Sequence, residues 1–404
     1  MDGQIDIRDS DGTARVDYLS ADRYRCLERE WRALEADADG SPFASWPWIA
    51  TWLATLPEHV DPHLVRIHDE GRVLALGLLV QGQRQGLRRS LGGGILHLQQ
   101  TGDQALDEIT VEYGGLLVRR GCEATAYAAL LSRLAEADLA CNDLNIPASS
   151  HWRFVQAALL PGWRMHGSRQ RNCYVVDLAA IRGSDKGYLQ HLSASGRSCL
   201  RRTRRAFEKL GDLRLSFADD AHQALAWLED MRELHQRRWQ RAGQRGAFDS
   251  AYFHAFHRSL IQHHYESGLP RLSRLSCGNA VIGYHYHLLH RNHVYYYNSG
   301  LQPDLVPRND RPGILLHWMA IENDLAAGRL SYDFLAGDAA YKRMLGTHSK
   351  PLTWIEAWQA SPRQSALRWL HRLLARQGGS TVQIPGIANR DDLLPLRQAC
   401  ESTK

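Results

Sequence analysis

Apolar and polar residues alternate over short runs of this chain, and longer stretches with helical spacing separate these runs. Residues 63–67 and 73–80 are apolar runs on either side of Asp69-Glu70-Gly71, which predicts two antiparallel strands joined by a tight turn. Residues 21–38 place apolar side chains at helical intervals and predict a helix. Strands that alternate with helices in this way predict a mixed α/β fold.

The second half of the chain shows a similar order of elements without sharing its residues. Residues 213–217, 280–289 and 294–300 predict strands, and residues 195–210 and 221–241 predict helices. A chain of 404 residues is longer than the ~100–200 residues of a typical domain. We therefore expect two domains, with no repeat that is visible in the residues themselves.

Composition indicates a soluble globular protein. Hydrophobic residues make up 44% of the chain, and the formal net charge of +5 is too small to indicate a nucleic-acid partner by itself. The seven cysteines are odd in number, are widely spaced and contain no C-x-x-C pair, which is typical of reduced thiols in the cytoplasm. The N-terminus is polar, and no apolar run reaches the ~18–20 residues of a membrane span. We expect a cytoplasmic location.

The most informative segment runs from Leu330 to Lys342. A short apolar run ends in Gly337-Asp338, and a helix-compatible stretch with Tyr341 and Lys342 follows immediately. Upstream, residues 294–300 predict a strand, and Arg311-Pro312-Gly313 begins a helix that extends to about Gly328. In open α/β sheets, ligands bind at the carboxyl ends of the strands. This segment therefore predicts a ligand site at the ends of two strands.

This arrangement resembles the GNAT acyltransferase superfamily, and within it the group of the cellulose-biosynthesis protein CelD, which is related to Fem-type peptidyltransferases. The resemblance covers residues 189–358 well and the first half loosely. Its matching residues are Ser193 with the Arg-rich helix after it, Leu234-His235, Arg237, Trp239, Phe248, Gly278, Ala280, Gly283, Tyr296 to Gly300, Pro303, Pro312-Gly313, Tyr332 to Leu335, Gly337 and Tyr341-Lys342. It implies tandem GNAT-like domains at residues 1–165 and 166–377, each with a mixed, mostly antiparallel sheet flanked by helices, and a tail at 378–404.

The resemblance implies acyl-CoA as co-substrate. Arg308, Arg311, Gly313 and Lys342 are the candidate donor-binding residues, because free amides at a helix N-terminus attract a pyrophosphate and nearby cations strengthen the contact. The sequence departs here from the Gln/Arg-x-x-Gly-x-Gly/Ala turn of most GNAT enzymes. A plain helix start with solvated arginines, and an exposed Lys342, remain open alternatives.

Acyl transfer to an amine needs donors for the carbonyl oxygen and groups that move protons. Tyr341 lies where many GNAT enzymes place a tyrosine that protonates the leaving thiolate, Asn298 is a candidate for holding the acyl carbonyl, and Asp338 and His285 are candidate bases. For Tyr341 the alternative is packing against the sheet, and for Asn298 it is closing a turn. His285 and His287 share a strand face, but the H-x-H pair lacks partners at ligand spacing, so we expect no zinc or other metal site.

Five further residues are candidates for binding the acceptor: Arg201, Arg205, Trp239, Tyr297 and Asp333. The first two belong to a strongly basic helix at residues 197–205, which suits an anionic acceptor but is also typical of a solvated helix face. One tryptophan is too few for a nucleic-acid stacking platform, so we expect no nucleic-acid partner, and tRNA only in the Fem-type alternative below.

The sequence therefore predicts an acyl-CoA-dependent N-acyltransferase that acts on an amine. The CelD-like resemblance implies a role in polysaccharide or cell-envelope biosynthesis. Two alternatives remain: an aminoacyl-tRNA-dependent peptidyltransferase of the Fem type, and a scaffold with the GNAT fold but no catalytic activity. The acyl chain, the acceptor and the oligomeric state do not follow from the sequence.

Overall fold

A computed structural model describes residues 14–82, 94–136, 141–302, 305, 311–359 and 366. Its strands are β1 (Arg15–Ser20), β2 (Pro62–Asp69), β3 (Arg72–Gly82), β4 (Gly94–Leu98), β5 (Leu117–Val118), β6 (Cys141–Ser149), β7 (Trp163–Asp177), β8 (Leu213–Phe217), β9 (Pro270–Cys277), β10 (Ala280–His290), β11 (His293–Leu301), β12 (Ser331–Ala336) and β13 (His348–Gln359). Its helices are α1 (Leu27–Asp37), α2 (Trp46–Thr55), α3 (Glu123–Glu136), α4 (Trp152–Ala157), α5 (Leu178–Arg182), α6 (Tyr188–His191), α7 (Ala194–Glu208), α8 (Ala221–Arg241), α9 (Ala251–His264), α10 (Pro312–Ala326) and α11 (Ala340–Leu345).

The described residues form two compact units with interleaved segments. Unit 1 contains residues 14–170, 251–267 and 351–359, and unit 2 contains residues 171–250 and 268–350. The domains expected from the sequence were continuous stretches, whereas α9 and most of β13 belong to unit 1. The expected tail at 378–404 lies outside the described residues.

The sheet of unit 1 has the strand order β1-β2-β3-β4-β6-β13, and β5 also pairs with β3. Strands β1 to β4 pair in antiparallel fashion, β4 and β6 are parallel, and β13 is antiparallel to β6. The predicted hairpin between β2 and β3 is confirmed. Glu70 and Gly71 both have left-handed backbones, with φ of 44° and 85°, as a tight hairpin turn requires.

The sheet of unit 2 follows the same pairing scheme with the order β7-β12-β11-β10-β9-β8. Strands β8 to β11 are antiparallel neighbours, β11 and β12 are parallel, and β12 is antiparallel to β7. Helix α10 connects the two parallel strands, because a parallel pair needs a crossover connection. Each unit is thus a mixed, mostly antiparallel sheet with helices, which confirms the predicted fold class.

Helices cover both faces of the sheet in unit 2. Leu200 and Phe207 of α7 share a buried core with Leu316 of α10 and with Tyr332 and Phe334 of β12. On the opposite face, α8 contacts the sheet through Asp230, which accepts a hydrogen bond from the Tyr284 hydroxyl. Gly300 is required here, because a Cβ would lie 2.4 Å from the Met231 carbonyl oxygen of α8.

Side-chain caps explain where two predicted helices begin. The Ser193 hydroxyl accepts from the Gly196 amide at the start of α7, and the Asp220 carboxylate accepts from the Gln223 amide at the start of α8. The apolar pattern did not predict β1 or β4. Gly94 begins β4, and the parallel partner β6 supplies its hydrogen bonds.

Within the part of the chain that the structure describes, none of the helices has the length and apolar character that a membrane span requires.

Candidate active site

The parallel strands β11 and β12 separate soon after they begin. Their pairing joins His293 to Ser331, Val294 to Tyr332 and Tyr295 to Asp333, and then stops. Strand β11 nevertheless continues to Leu301 and β12 to Ala336. Beyond this point the backbone N–H and C=O groups of β11 and β12 form no hydrogen bonds with one another. The carboxyl ends of the two strands therefore leave an opening in the sheet where a ligand can bind.

A bulge in β11 lies at this opening. Tyr286 of β10 pairs with Asn298, and the next residue, His287, pairs with Tyr296, so Tyr297 is an extra residue in β11. Bulges redirect side chains and are frequent beside active sites. Asn298 is buried, and its Oδ1 accepts the Ser299 amide, but its Nδ2 has no partner among the described residues. An unpartnered buried amide group is a donor available to a bound ligand.

Helix α10 begins near the carboxyl end of β11 in sequence and carries Pro312 at its first position. Arg311 is exposed, and no side chain among the described residues caps this helix end. Gly313 lies close to β11, since a Cβ there would be 3.0 Å from the Leu301 side chain. Arg311 and Gly313 thus lie at an uncapped helix start next to β11, whereas Arg308 lies outside the described residues.

Tyr341, in the first turn of α11, is partly buried and stacks on His317 of α10. The ring centroids are 5.2 Å apart and the ring planes differ by 14°. His317 is almost completely buried, and its ring also contacts Phe334, with the centroids 5.1 Å apart. The Tyr341 ring therefore packs against the core, as one of the two interpretations expects, and the residue as a whole remains partly accessible.

A chain of hydrogen bonds extends from His317 into the core. The Tyr332 hydroxyl lies 2.9 Å from Nδ1 of His317 and 2.9 Å from Nε2 of His287. We call His317, Tyr332 and His287 the histidine relay. The sequence offered one signal for it, because His317 is the single strongly polar ring in the apolar stretch Ile314-Leu315-Leu316-His317-Trp318. The pattern alone does not indicate what this histidine contacts.

His285 contacts the same cluster, with its ring centroid 4.4 Å from that of His317. It is completely buried, and neither ring nitrogen has a hydrogen-bond partner in the described structure. Burial and the nearby His317, His287 and Arg271 hold the pKa of His285 well below its usual range. This position argues against the expected role of His285 as a base that contacts the acceptor.

Asp333 is buried on the other face of β12 from Tyr332, as its alternation predicts. Its Oδ1 accepts from the Leu335 amide and from the Cys173 thiol, both at 2.8 Å. Its Oδ2 lies 3.4 Å from the ammonium of Lys350. With both oxygens engaged, Asp333 is placed to hold the end of β12 rather than to bind an acceptor.

The two other candidates near α11 differ in burial. Lys342 is buried, with its ammonium donating to the Ala336 carbonyl at 3.0 Å, so the alternative of an exposed lysine is wrong. A buried amine needs a partner, and the end of β12 supplies one.

Asp338 is exposed, and the Tyr174 hydroxyl and the Arg343 guanidinium hold its pKa below the usual range. A carboxyl with a lowered pKa is a weaker base.

The remaining acceptor candidates do not form one group. Arg201 and Arg205 are exposed on α7. Trp239 is buried and donates from Nε1 to Nε2 of His235 at 3.0 Å. Tyr297 is buried against Tyr286, with ring centroids 5.5 Å apart. In the described residues there is no group of three or more His, Cys, Asp or Glu residues arranged to hold a metal ion.

Comparisons with known proteins place this geometry in context. Residues 194–343 match a family model described as an acetyltransferase (GNAT) domain. The crystal structure of FemX aligns with 86% of this chain and 98% of its own, at 11% identity and a TM-score of 0.56. A conserved protein of unknown function from Bacteroides thetaiotaomicron aligns with 82% of this chain and 97% of its own, at 11% identity and a TM-score of 0.49. A tandem GNAT protein from the clavulanic acid biosynthesis pathway aligns with 86% of this chain and 99% of its own, at 13% identity and a TM-score of 0.44. No curated protein sequence matches the chain.

The family match includes β11, α10, β12 and the start of α11, which are the elements that form the candidate site. Residues 194–343 are therefore similar to a GNAT acetyltransferase domain, and the fold of the chain is similar to that of FemX.

Proposed function

We propose that unit 2 transfers an acyl group from acyl-CoA to the amine of a small acceptor. The observation that carries this proposal is the separation of β11 and β12 after the pair Tyr295 and Asp333, with Asn298 on one strand and Tyr341 just beyond the other. An extended donor can form backbone hydrogen bonds in such an opening, and its thioester then lies between the two strand ends.

The start of α10 suits the phosphates of the donor. Its first amides are not capped by a side chain of the described residues, and Arg311 adds an exposed positive charge beside them. Amides at a helix N-terminus bind phosphate through direct hydrogen bonds and through the helix dipole. In this proposal, the free amides of α10 and Arg311 bind the phosphates in place of the glycine-rich turn that the sequence lacks.

In the proposed reaction, the neutral amine nitrogen attacks the thioester carbonyl carbon. The new C–N bond forms as the C–S bond breaks, and the proton lost by the amine passes to water. Nδ2 of Asn298 is the candidate donor to the carbonyl oxygen, and the Tyr341 hydroxyl is the candidate acid that protonates the departing thiolate. The main contribution is the orientation of the two reactants. Asp338 and His285 have no assigned step, because the one is a weakened base and the other is buried.

The nature of the acceptor is inferred from the CelD-like resemblance, which favours an amine of polysaccharide or cell-envelope biosynthesis. Arg201 and Arg205 on the exposed face of α7 suit an acceptor that carries phosphate. Among the described cysteines whose side chains are placed, all five are free thiols, which supports the proposed cytoplasmic location.

The structural similarity to FemX favours one alternative, a peptidyltransferase of the Fem type that uses aminoacyl-tRNA as donor. The exposed arginines of α7 also suit the phosphates of an RNA. Binding of a tRNA in increasing salt distinguishes this alternative, because a site that contacts several phosphates loses affinity steeply as salt rises.

Thermal unfolding of the full chain tests the proposal. Acetyl-CoA, a longer acyl-CoA, free CoA and adenosine 3′,5′-bisphosphate are each added at the same concentration. A ligand bound by the native state alone stabilises it by about 2.7 kcal/mol when its concentration is about 100 times its dissociation constant. We expect the acyl-CoAs to raise the melting temperature more than adenosine 3′,5′-bisphosphate does. If no CoA compound raises it and tRNA does, the Fem-type alternative is favoured. If neither raises it, the scaffold alternative is favoured.

A further inference from the structure

The histidine relay connects the candidate acid to the core through three contacts. The Tyr341 ring stacks on His317, His317 Nδ1 lies 2.9 Å from the Tyr332 hydroxyl, and this hydroxyl lies 2.9 Å from Nε2 of His287. The three relay residues are buried, and only Tyr341 is partly accessible. The relay therefore joins a partly accessible phenol on α11 to β10 through α10 and β12.

The positions of the protons follow from the partners. The Tyr332 hydroxyl has one proton, so one of the two histidines must donate to its oxygen. Nδ1 of His287 has no partner among the described residues. An unpaired buried N–H costs more than an unpaired lone pair, so the His287 proton belongs on Nε2, where it donates to Tyr332. Tyr332 then donates to Nδ1 of His317, and His317 carries its own proton on Nε2.

Burial and the nearby charges keep His287 and Tyr332 neutral. Arg271 is paired with Asp324 through two hydrogen bonds of 2.6 and 2.8 Å, and Asp324 is completely buried. Burial, together with Arg271 and His317, holds the pKa of His287 well below its usual range, and burial raises that of Tyr332 well above it. With the protons in the arrangement given above, His287, Tyr332 and His317 form one fixed set of hydrogen bonds instead of several interconverting ones.

We propose that His317 is a positioning residue for Tyr341, and that Tyr332 and His287 fix the orientation of the His317 ring. His317 does not contact the reacting atoms in this scheme. It holds the phenol at one angle over the opening between β11 and β12, so that the hydroxyl meets the departing sulfur. The kinetic part of this inference rests on the proposed acyltransferase function, whereas its structural part does not.

Two contacts explain why a histidine lies on the apolar face of α10: His317 both stacks on Tyr341 and forms a hydrogen bond with Tyr332. A phenylalanine could stack on Tyr341, but it could not accept a hydrogen bond from Tyr332, and its ring would be free to rotate. An asparagine could accept that hydrogen bond, but it has no ring for Tyr341. The two substitutions therefore separate the stacking contact from the hydrogen bond.

The first experiment needs no substrate. We introduce 3-fluorotyrosine at position 341 of the full chain and record its ¹⁹F resonance in the wild type and in three variants, His317→Phe, His317→Asn and Tyr332→Phe. We expect one narrow resonance in the wild type. In His317→Asn it should shift towards the position of free 3-fluorotyrosine, and in His317→Phe and Tyr332→Phe it should broaden, because the ring beneath it can rotate.

Two comparisons make this result specific. The double variant His317→Phe/Tyr332→Phe should resemble each single variant, because both changes break the same hydrogen bond. Tyr286→Phe is the matched control, since it removes a buried hydroxyl from β10 on the face that contacts Tyr297. An unchanged resonance in all three variants overturns the proposal, and so does an equal effect of Tyr286→Phe. If one variant fails to fold, the other two decide the outcome.

The second experiment measures turnover with acetyl-CoA and a panel of amines. We expect His317→Asn to lower kcat on the order of tenfold with little change in the KM for acetyl-CoA, and His317→Phe to recover part of the loss. If the protein binds no acetyl-CoA, the proposed function fails while the ¹⁹F test still decides the structural inference. If turnover is present but kcat is unchanged in all the relay variants, the positioning role is wrong and the function stands.

Discussion

The backbone amide of Leu335 donates to Oδ1 of Asp333 at 2.8 Å, and Leu335 has a left-handed backbone with φ of 60°. This conformation costs a residue with a side chain about 1–2 kcal/mol, so the surrounding structure has to hold it. The carboxylate does so from within the same strand. The turn at Leu335 lies beyond the last pair of β11 and β12, where β12 leaves its partner.

We predict that Asp333→Ala lowers the free energy of unfolding by about 2–3 kcal/mol, because it leaves the buried Leu335 amide without an acceptor. Asp333→Asn retains one oxygen acceptor and should recover more than half of this loss. Urea unfolding of the two variants measures the difference. Equal losses would show that the charge near Lys350, and not the hydrogen bond to Leu335, stabilises the strand end.

For catalysis, Tyr341→Phe should lower kcat about a hundredfold, which is a typical contribution of a general acid. The ring and its stacking on His317 remain, so the dissociation constant of acetyl-CoA should change less than twofold. Steady-state rates and calorimetric titration check the two expectations. An unchanged kcat removes Tyr341 from the mechanism.

Arg311→Ala should weaken the binding of CoA about three- to tenfold, because one charge-assisted contact to the phosphates is lost and the site is exposed. Arg205→Ala is the matched control, since it removes an exposed arginine from α7. Calorimetric titration with CoA at low and high salt compares them. If Arg205→Ala has the larger effect on CoA binding, the phosphate site is wrongly placed at α10.

The pH dependence of stability should reflect His285. Its pKa in the native state is well below the ordinary value, so below about pH 6.5 the unfolded chain takes up a proton that the native protein does not. This contribution to stability is present above pH 6.5 and falls by about 1.4 kcal/mol for each pH unit below it.

His285→Phe should therefore make the decline in unfolding free energy between pH 6.5 and pH 5 shallower, by up to about 1.4 kcal/mol per pH unit. Chemical unfolding at a series of pH values measures the slope. Phe334→Leu is the control, because it disturbs the same cluster without removing a titrating group. A slope that His285→Phe leaves unchanged would mean that the native imidazole does take up a proton in this range.

Arg271→Met should destabilise the protein by about 3–5 kcal/mol, because it leaves Asp324 buried and uncompensated. The double variant Arg271→Met/Asp324→Leu should be more stable than the single one. Arg232→Met breaks an ion pair with Glu229 at a partly exposed position and should cost less than about 1 kcal/mol. If the double variant is less stable than Arg271→Met, Asp324 stabilises the fold in some way other than by pairing with the charge of Arg271.

Local patterns identified the elements of the candidate site but not all of its contacts. The run that ends at Gly337-Asp338 predicted strand β12, and Pro312 predicted the start of α10, because turns and helix starts depend on neighbouring residues. The burial of Lys342 was not predictable, since the Ala336 carbonyl that accepts its hydrogen bond becomes available only when α11 folds back on β12.

The sequence by itself determined the α/β character of the chain, the long helices α7 and α8, and the order β11, α10, β12 that led to a GNAT-like interpretation. Apolar periodicity and caps suffice for these features, because they act over a few residues. Tertiary structure alone decided that His317, Tyr332 and His287 meet beneath Tyr341, and that β11 and β12 separate after Tyr295 and Asp333. These contacts join residues distant in the chain, and no local pattern specifies which distant side chains will pack together.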